Sequence, residues 1–313
     1  MKKHLVLLFA LMFVTQIVIG QARYFNERYV YTQYHLYPVL INPGATGATG
    51  HHQVIFNYRN KWASFEDSPR SFSASYDGDL GNRVGVGGIL VSDKFGALNT
   101  TKGQLSFSYT IDTPTNKVGF GLATEYIRHN VSGSSFANPF IDTQDPLFLQ
   151  RIDGNAFFDI TPGIYGLYDD KISYGLVLPG LLSSELDEPS TLGNDSEFSY
   201  ILNFGYKLIS EANDIVFEPS IYIKQLNYVP LHIDLNLKAG FLEERLTGGI
   251  TYSLGADERL GFLIGSKVNS LNFYYGYNVS RHEFQTYNNG SHEITVGFDI
   301  DGFQRAQIIP NEQ

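Results

Sequence analysis

The feature that most constrains this chain is a regular alternation of apolar and polar residues over stretches of about ten residues. It is clearest in 104–111, 198–208, 232–241 and 294–300, where only Ile201 interrupts the pattern. A period of two predicts β-strands with one apolar face. Strands of this length are typical of outer-membrane barrels, whereas strands in soluble sandwiches usually have five or six residues.

Reading the whole chain in this way predicts fourteen strands, an even number that suits a single-chain bacterial barrel with both termini on the periplasmic side. The predicted strands are 52–60, 70–80, 83–91, 102–111, 117–127, 155–168, 171–178, 197–208, 214–224, 230–241, 244–254, 258–267, 270–280 and 291–300. We therefore expect an all-β, transmembrane antiparallel barrel.

The predicted connections support this topology, because tight links alternate with longer ones. The longer set is 61–69, 92–101, 128–154, 179–196 and 281–290. Short periplasmic turns and longer external loops are the usual arrangement in outer-membrane barrels.

The apolar face is rich in aromatic residues, and only 17% of the chain is charged, against roughly 25% in soluble proteins. This favours lipid outside and water inside. Ten charged residues share the inward parity: Arg59, Asp77, Glu125, Asp159, Lys207, Glu218, Lys224, Asp234, Lys238 and Arg245. They could form a charged conduit or binding floor. We favour a salt-bridged lumen without chemistry. A charged side chain on the lipid face would be energetically costly, so charged residues must point inward whether or not they have a function.

Residues 1–20 are typical of a secretory signal peptide, with Lys2 and Lys3 before an apolar run and Gly20 before the expected cut. A membrane-anchoring helix is the alternative, but the run is short for a span. Removal of the two lysines changes the net charge from −10 to 20 − 32 = −12. This acidic balance argues against nucleic acid as a partner. The absence of cysteine excludes disulfides and thiolate metal sites.

Residues 21–51 precede the first strand and are rich in tyrosine. They could form a plug or a periplasmic contact, or they could be an ordered cap on the lower rim of the barrel. The predicted organisation is completed by a barrel over 52–300 and a C-terminal tail over 301–313.

Enzymatic interpretations find little support. The chain has no Gly-x-Ser-x-Gly elbow and no His-Glu-x-x-His pair, and His51-His52 lacks a third spaced ligand. We expect no catalytic residues, no metal and no cofactor.

Several short motifs, in order along the chain, resemble the PorP/SprF family of type IX secretion system membrane proteins. They include Ile41–Gly44, Tyr58–Trp62, Val84–Gly88, Asp93–Gly96 and Glu218–Ser220, followed by 275–278 and 291–294. The residues that carry the resemblance most clearly are Asn42, Pro43, Gly44, Arg59, Asn60, Trp62, Asp93, Lys94, Gly96, Pro219, Ser220, His292 and Glu293. The chain departs from the family at Gly44, where alanine is commoner, and at Thr251–Ser253, which lacks an arginine often found there.

The resemblance implies an outer-membrane protein of the Bacteroidota export and gliding apparatus. Such proteins support export or surface anchoring of secreted cargo, often an adhesin with a C-terminal sorting domain. Some associate instead with the periplasmic ring and peptidoglycan-linking lipoproteins of the machine. The partners implied are therefore a secreted surface protein, secretion components and the lipid bilayer.

Apolar residues on two predicted external loops are candidates for partner binding. They are Phe136, Phe140, Leu147, Phe148, Leu149, Leu181 and Leu182. Alternatively, they pack on one another or fold into the lumen. A different function is also open, because Asn42–Gly44 before a fourteen-strand barrel resembles the hatch of FadL-type transporters of hydrophobic molecules. A purely structural barrel that scaffolds machine assembly is a third interpretation.

Overall fold

The computed structural model describes residues 31–65, 68–131, 154–185, 199–210, 214–226, 229–255, 257–281 and 288–300. The predicted signal peptide and C-terminal tail lie outside these residues. The strands are β1 (His52–Asn60), β2 (Arg70–Asp79), β3 (Val84–Phe95), β4 (Leu98–Asp112), β5 (Asn116–Val131), β6 (Asn155–Tyr168), β7 (Ile172–Val177), β8 (Leu182–Glu185), β9 (Tyr200–Tyr206), β10 (Leu208–Ser210), β11 (Ile215–Leu226), β12 (Val229–Phe241), β13 (Leu246–Gly255), β14 (Arg259–Val268), β15 (Leu271–Ser280) and β16 (Ser291–Ile300).

These strands form one closed antiparallel barrel. Closure is made where β1 pairs with β16 and where β9 pairs with both β7 and β11. Segments β7 and β8 both pair with β6, and β9 and β10 both pair with β11, so each of these two couples is one interrupted wall strand. The wall therefore has fourteen strands, and the predicted fourteen-stranded barrel is confirmed.

The two ends of the barrel differ. At one end, which we call the short-turn end, β1 begins and β16 ends. Its tight turns place Asn82, Asp169, Glu243 and Asn269 at positive φ, a backbone conformation that fits the twist of a tight hairpin. The opposite end, which we call the loop end, is where β1 ends at Asn60 and β16 begins at Ser291.

Three sequence-based expectations about the wall are wrong. The expected loop 92–101 is a hairpin, because β3 runs to Phe95, β4 starts at Leu98, and the turn holds Gly96 at φ +58°. The expected loop 179–196 begins as wall, since β8 pairs with β6. Arg245 does not face the lumen: it lies in the exposed turn between β12 and β13, 3.6 Å from the Glu243 carboxylate.

The barrel has its apolar surface outside and its polar side chains inside. Outward residues such as Leu105 (72% exposed) and Leu90 (67%) present apolar surface, whereas inward Ser75, Ser108 and Asn57 are buried. This arrangement is the reverse of a soluble protein and suits a wall that faces lipid. Among the described residues, no helix is long and apolar enough to cross a membrane.

Residues 31–48, which we call the luminal segment, lie inside the barrel. The segment contains two short 3₁₀ helices, Pro38–Leu40 and Pro43–Ala45. Its apolar side chains pack in one cluster with inward residues of the wall, including Ile55, Ile201 and Tyr222. The interruption of the alternation at Ile201 therefore marks a contact with the luminal segment.

Candidate functional site

The luminal segment is held to the loop-end half of the wall by Glu293 on β16. This carboxylate is fully buried and accepts hydrogen bonds from the Thr32 and Gln33 backbone N–H groups at 3.1 and 3.3 Å, and also from the Thr32 hydroxyl. Asn57 Nδ2 donates to it at 2.9 Å, and Arg59 Nε lies 3.9 Å away. Donors from β1 and from the luminal segment thus converge on one carboxylate of β16.

Tyr34 makes a second attachment, to side chains of β11 and β12. Its hydroxyl donates to Asp234 and accepts from Lys224 Nζ at 2.8 Å. Lys224 Nζ also lies 2.7 Å from Asp234 Oδ2 and 4.4 Å from the centre of the Tyr34 ring. Because all three side chains are almost fully buried, each charge needs its partner in place.

This attachment continues as an ion-pair network toward the loop end. Arg259 bridges Asp234 at 3.1 Å and Asp257 at 2.8 Å, and Lys61 Nζ lies 3.3 Å from Asp257. Burial would raise the pKa of the Asp257 carboxyl, but the cations of Arg259 and Lys61 together lower this pKa below its ordinary value. The loops at this end are therefore tied electrostatically to the luminal segment.

Near the short-turn end, the turn Asn42-Pro43-Gly44 packs directly on wall backbone. Asn42 Oδ1 accepts from Gly44 N at 2.9 Å, while its Nδ2 donates to the Ile164 carbonyl at 2.9 Å. A Cβ at Gly44 would lie 2.7 Å from Tyr165 N and 2.8 Å from the Gly119 carbonyl oxygen. Only glycine allows this approach between the two backbones.

The segment is fixed once more just beyond this turn. Ser108 Oγ donates to the Thr46 carbonyl at 2.5 Å, and Gly47 N donates to Asp77 Oδ1 at 2.6 Å. The luminal segment therefore contacts several wall strands, both in the loop-end half of the barrel and in the short-turn half.

Most of the predicted inward charges form ion pairs. Lys238 lies 2.7 Å from Glu218, and Lys207 lies 2.9 Å from Glu244. Lys102, which was not singled out from sequence, pairs with Glu125 at 3.0 Å. These contacts agree with a salt-bridged lumen. A cavity of about 140 Å³ remains between the segment and the wall near Pro38.

The structure separates the motif residues into groups. Asn42, Pro43, Gly44, Arg59 and Glu293 meet around the luminal segment. The other motif residues lie elsewhere. Near the loop end, Asn60 accepts a hydrogen bond from Ser68 Oγ, Asp93 accepts one from Ser71, and Trp62 packs on Phe95, while Lys94 and Gly96 lie on the β3–β4 hairpin. Ser220 lines the cavity, whereas Pro219 and His292 face outward, His292 beside Tyr275.

Of the seven predicted partner-binding residues, only two lie within the described part of the chain. Phe136, Phe140, Leu147, Phe148 and Leu149 lie outside the described residues. Leu181 and Leu182 are exposed by 49% and 63%, but Leu182 begins the wall segment β8 and pairs with outward-facing Ile160, and Leu181 directly precedes it. Their role in partner binding stays a prediction.

Sequence reasoning missed Thr32, Gln33 and Tyr34 as attachment residues. The density of tyrosine in 21–51 was the available signal, but it gave no partner for any single side chain. Within the described part of the chain, no group of three or more His, Asp or Glu side chains could hold a metal ion.

The family model for the type IX secretion system membrane protein PorP/SprF matches residues 25–298, most of the chain. The chain belongs to the PorP/SprF family. This match confirms the resemblance carried by the motifs. No curated protein sequence matches the chain.

Solved structures with a similar fold are outer-membrane barrels of low sequence identity. The toluene transporter TbuX of Ralstonia pickettii is 9% identical, with a TM-score of 0.50, over 83% of this chain and 92% of that one. Omp33 of Acinetobacter baumannii is 6% identical, with a TM-score of 0.46, over 80% and 98%. The monoaromatic hydrocarbon channel CymD is 10% identical, with a TM-score of 0.46, over 87% and 93%.

Family and fold together identify an outer-membrane component of the type IX secretion system that spans the lipid bilayer. In the usual orientation of such barrels, the short-turn end is periplasmic and the loop end is external. The network of Lys61, Asp257 and Arg259 then lies toward the cell exterior.

Proposed function

We propose that this PorP/SprF protein supports export or surface anchoring of a secreted partner by protein–protein contact, and not by conduction or catalysis. The observation that carries the proposal is the luminal segment. It occupies the barrel interior and is fastened to the wall by Glu293, Asp234 and the Gly44 contact. Because its lumen is occupied, the barrel has its outer surfaces available for contact with a partner protein.

The partner we propose is a surface protein with a C-terminal sorting domain, held at the external loops. The periplasmic end would contact components of the secretion machine. The predicted loop between β5 and β6 is the main candidate for the external contact. Its ends are fixed, because His129 pairs with Asn155 at the top of the wall, so we expect changes between them to leave the barrel intact.

The test replaces the apolar side chains of this predicted loop. In one variant Phe136, Phe140, Leu147, Phe148 and Leu149 are changed to serine. In a matched control Asn138, Thr143 and Gln144, on the same loop, are changed to alanine. We expect the serine variant to release the secreted partner into the medium and the control to retain it, measured by quantitative proteomics of cells and medium.

Two checks make this result interpretable. Heat-dependent mobility on gels must show that both variants are inserted barrels. Co-purification in mild detergent must then recover the partner with the control and not with the serine variant. Equal retention of the partner by both variants would refute holding by this loop.

A further inference from the structure

The outward face of the wall carries an apolar groove of about 370 Å³, more than twice the roughly 150 Å³ cavity that can bind benzene. It crosses β6, β7, β9 and β11. Its lining side chains are Ile164, Leu176, Leu202, Phe204, Ile221 and Ile223. This groove plays no part in the function proposed above.

The groove has a definite local cause. Tyr174 on β7 lies over Gly166, and its hydroxyl donates to Asn116 Oδ1 at 3.0 Å. The ring is thereby held in place as part of the groove lining. At Gly175 a Cβ would point away from the groove and into the lumen, against Asn203 Oδ1 and 2.8 Å from Asn42 Nδ2 of the luminal segment. The floor is therefore firmly backed by the luminal segment.

The groove opens to the lipid phase. Leu202 and Phe204 at its rim are exposed on the outward face, and Ile164 pairs with Phe120, which is also outward and exposed. These residues belong to the continuous apolar surface that surrounds the barrel. In the outer membrane, this surface is covered by lipid and not by water or soluble protein.

We propose that this groove binds one acyl chain of a bilayer lipid. A chain lying there exchanges contact with mobile neighbouring lipids for contact with fixed side chains on several strands. Its apolar lining matches the ligand, and dispersion contacts over its length hold the chain more firmly than the surrounding convex wall can. The site thus retains a lipid that other parts of the wall exchange freely.

The test compares two leucine-to-tryptophan substitutions on the lipid face. Leu202→Trp fills the groove, whereas Leu105→Trp places the same side chain on the convex wall of β4, where Leu105 is 72% exposed. Proteins are purified from the native outer membrane in mild detergent, and their retained acyl lipid is quantified by mass spectrometry. Deuterated palmitic acid is then titrated as a defined probe, and heat-dependent mobility confirms folded barrels.

We expect the wild type and Leu105→Trp to retain about one acyl lipid per barrel and to bind palmitic acid saturably. Leu202→Trp should weaken both by about tenfold, because several methylene contacts are lost. The proposal is overturned if the wild type neither retains lipid nor binds the probe. It is also overturned if the two variants retain lipid and bind palmitic acid equally, since the lipid would then be bound by the whole outer surface and not by the groove.

Discussion

At the scale of single residues, the Glu293 carboxylate joins the luminal segment to two strands of the wall, β1 and β16. Glu293→Gln keeps the shape but removes the charge that faces Arg59 and receives the Thr32 and Gln33 N–H groups. We expect the free energy of unfolding to fall by about 3 kcal/mol, because buried Arg59 loses one of its two carboxylate partners and the Thr32 and Gln33 N–H groups lose a charged acceptor. The measurement is guanidinium unfolding in detergent, followed by the fluorescence of Trp62.

The control for this experiment is Glu243→Gln in a periplasmic turn. Glu243 is 76% exposed and lies 3.6 Å from Arg245. Exposed pairs of this kind contribute no more than about 1 kcal/mol, so the control should unfold almost as the wild type does. Similar unfolding midpoints for the two variants would show that Glu293 does not anchor the luminal segment.

Gly44 gives a second prediction at this scale, because its backbone lies directly against the backbone of the wall. In this chain a Cβ at Gly44 would meet Tyr165 N at 2.7 Å and the Gly119 carbonyl oxygen at 2.8 Å. Gly44→Ala should therefore push the segment off the wall, at a cost of about 1–3 kcal/mol. Gly103→Ala is the control, since its nearest neighbour would be 3.8 Å away.

A thiol reports the displacement directly, because the chain has no native cysteine. Ala45→Cys places one thiol on the buried face of the luminal segment, where Ala45 is 4% exposed. In the Gly44→Ala background we expect maleimide labelling to be about tenfold faster. This corresponds to a decrease of about 1.4 kcal/mol in the free energy of opening the luminal segment. Unchanged labelling would mean that the wall accommodates the extra methyl group.

At the scale of elements, the turn between β12 and β13 carries avoidable strain. Leu242, Glu243 and Glu244 have φ of 54°, 57° and 61°, in the left-handed region that favours glycine. Glu243→Gly should exceed Glu243→Ala in stability by about 1 kcal/mol, because both variants lose the same charge but only alanine keeps the strained Cβ. Unfolding midpoints of the two variants decide this, and equal midpoints would contradict it.

The sequence predicted elements well where one face meets lipid and poorly where both faces are polar. The alternation located fourteen wall strands because an apolar face is required across the bilayer. The alternation did not predict the strand residues Ser92–Phe95. A strand that extends beyond the lipid needs no apolar face, so its sequence resembles that of a loop. The alternation also missed β8, because Pro179 and Gly180 interrupt the wall strand and suggest that it has ended.

At the scale of the whole molecule, the interior was only partly predictable. Inward parity identified Lys224 and Asp234 as lumen residues, but their contacts with Tyr34 depend on how the luminal segment crosses the barrel. No local pattern encodes that path. The motif residues Asn42, Gly44 and Glu293 were selected by resemblance, and the structure gives their common physical basis as attachment of one segment.

The occupied lumen leads to a prediction for the complete barrel. Fourteen strands enclose enough space for a passage, and among the described residues it is 31–48 that occupy this space. We expect the wild type to show no steady ion conductance in planar bilayers, whereas deletion of residues 31–48 should open a channel. A second variant, Glu293→Gln with Gly44→Ala, loosens two of the attachments without shortening the chain and should conduct intermittently. The double substitution Glu243→Gln with Gly103→Ala is its matched control and should stay closed. Steady conductance of the wild type would contradict a closed barrel and favour transport of small molecules through the lumen.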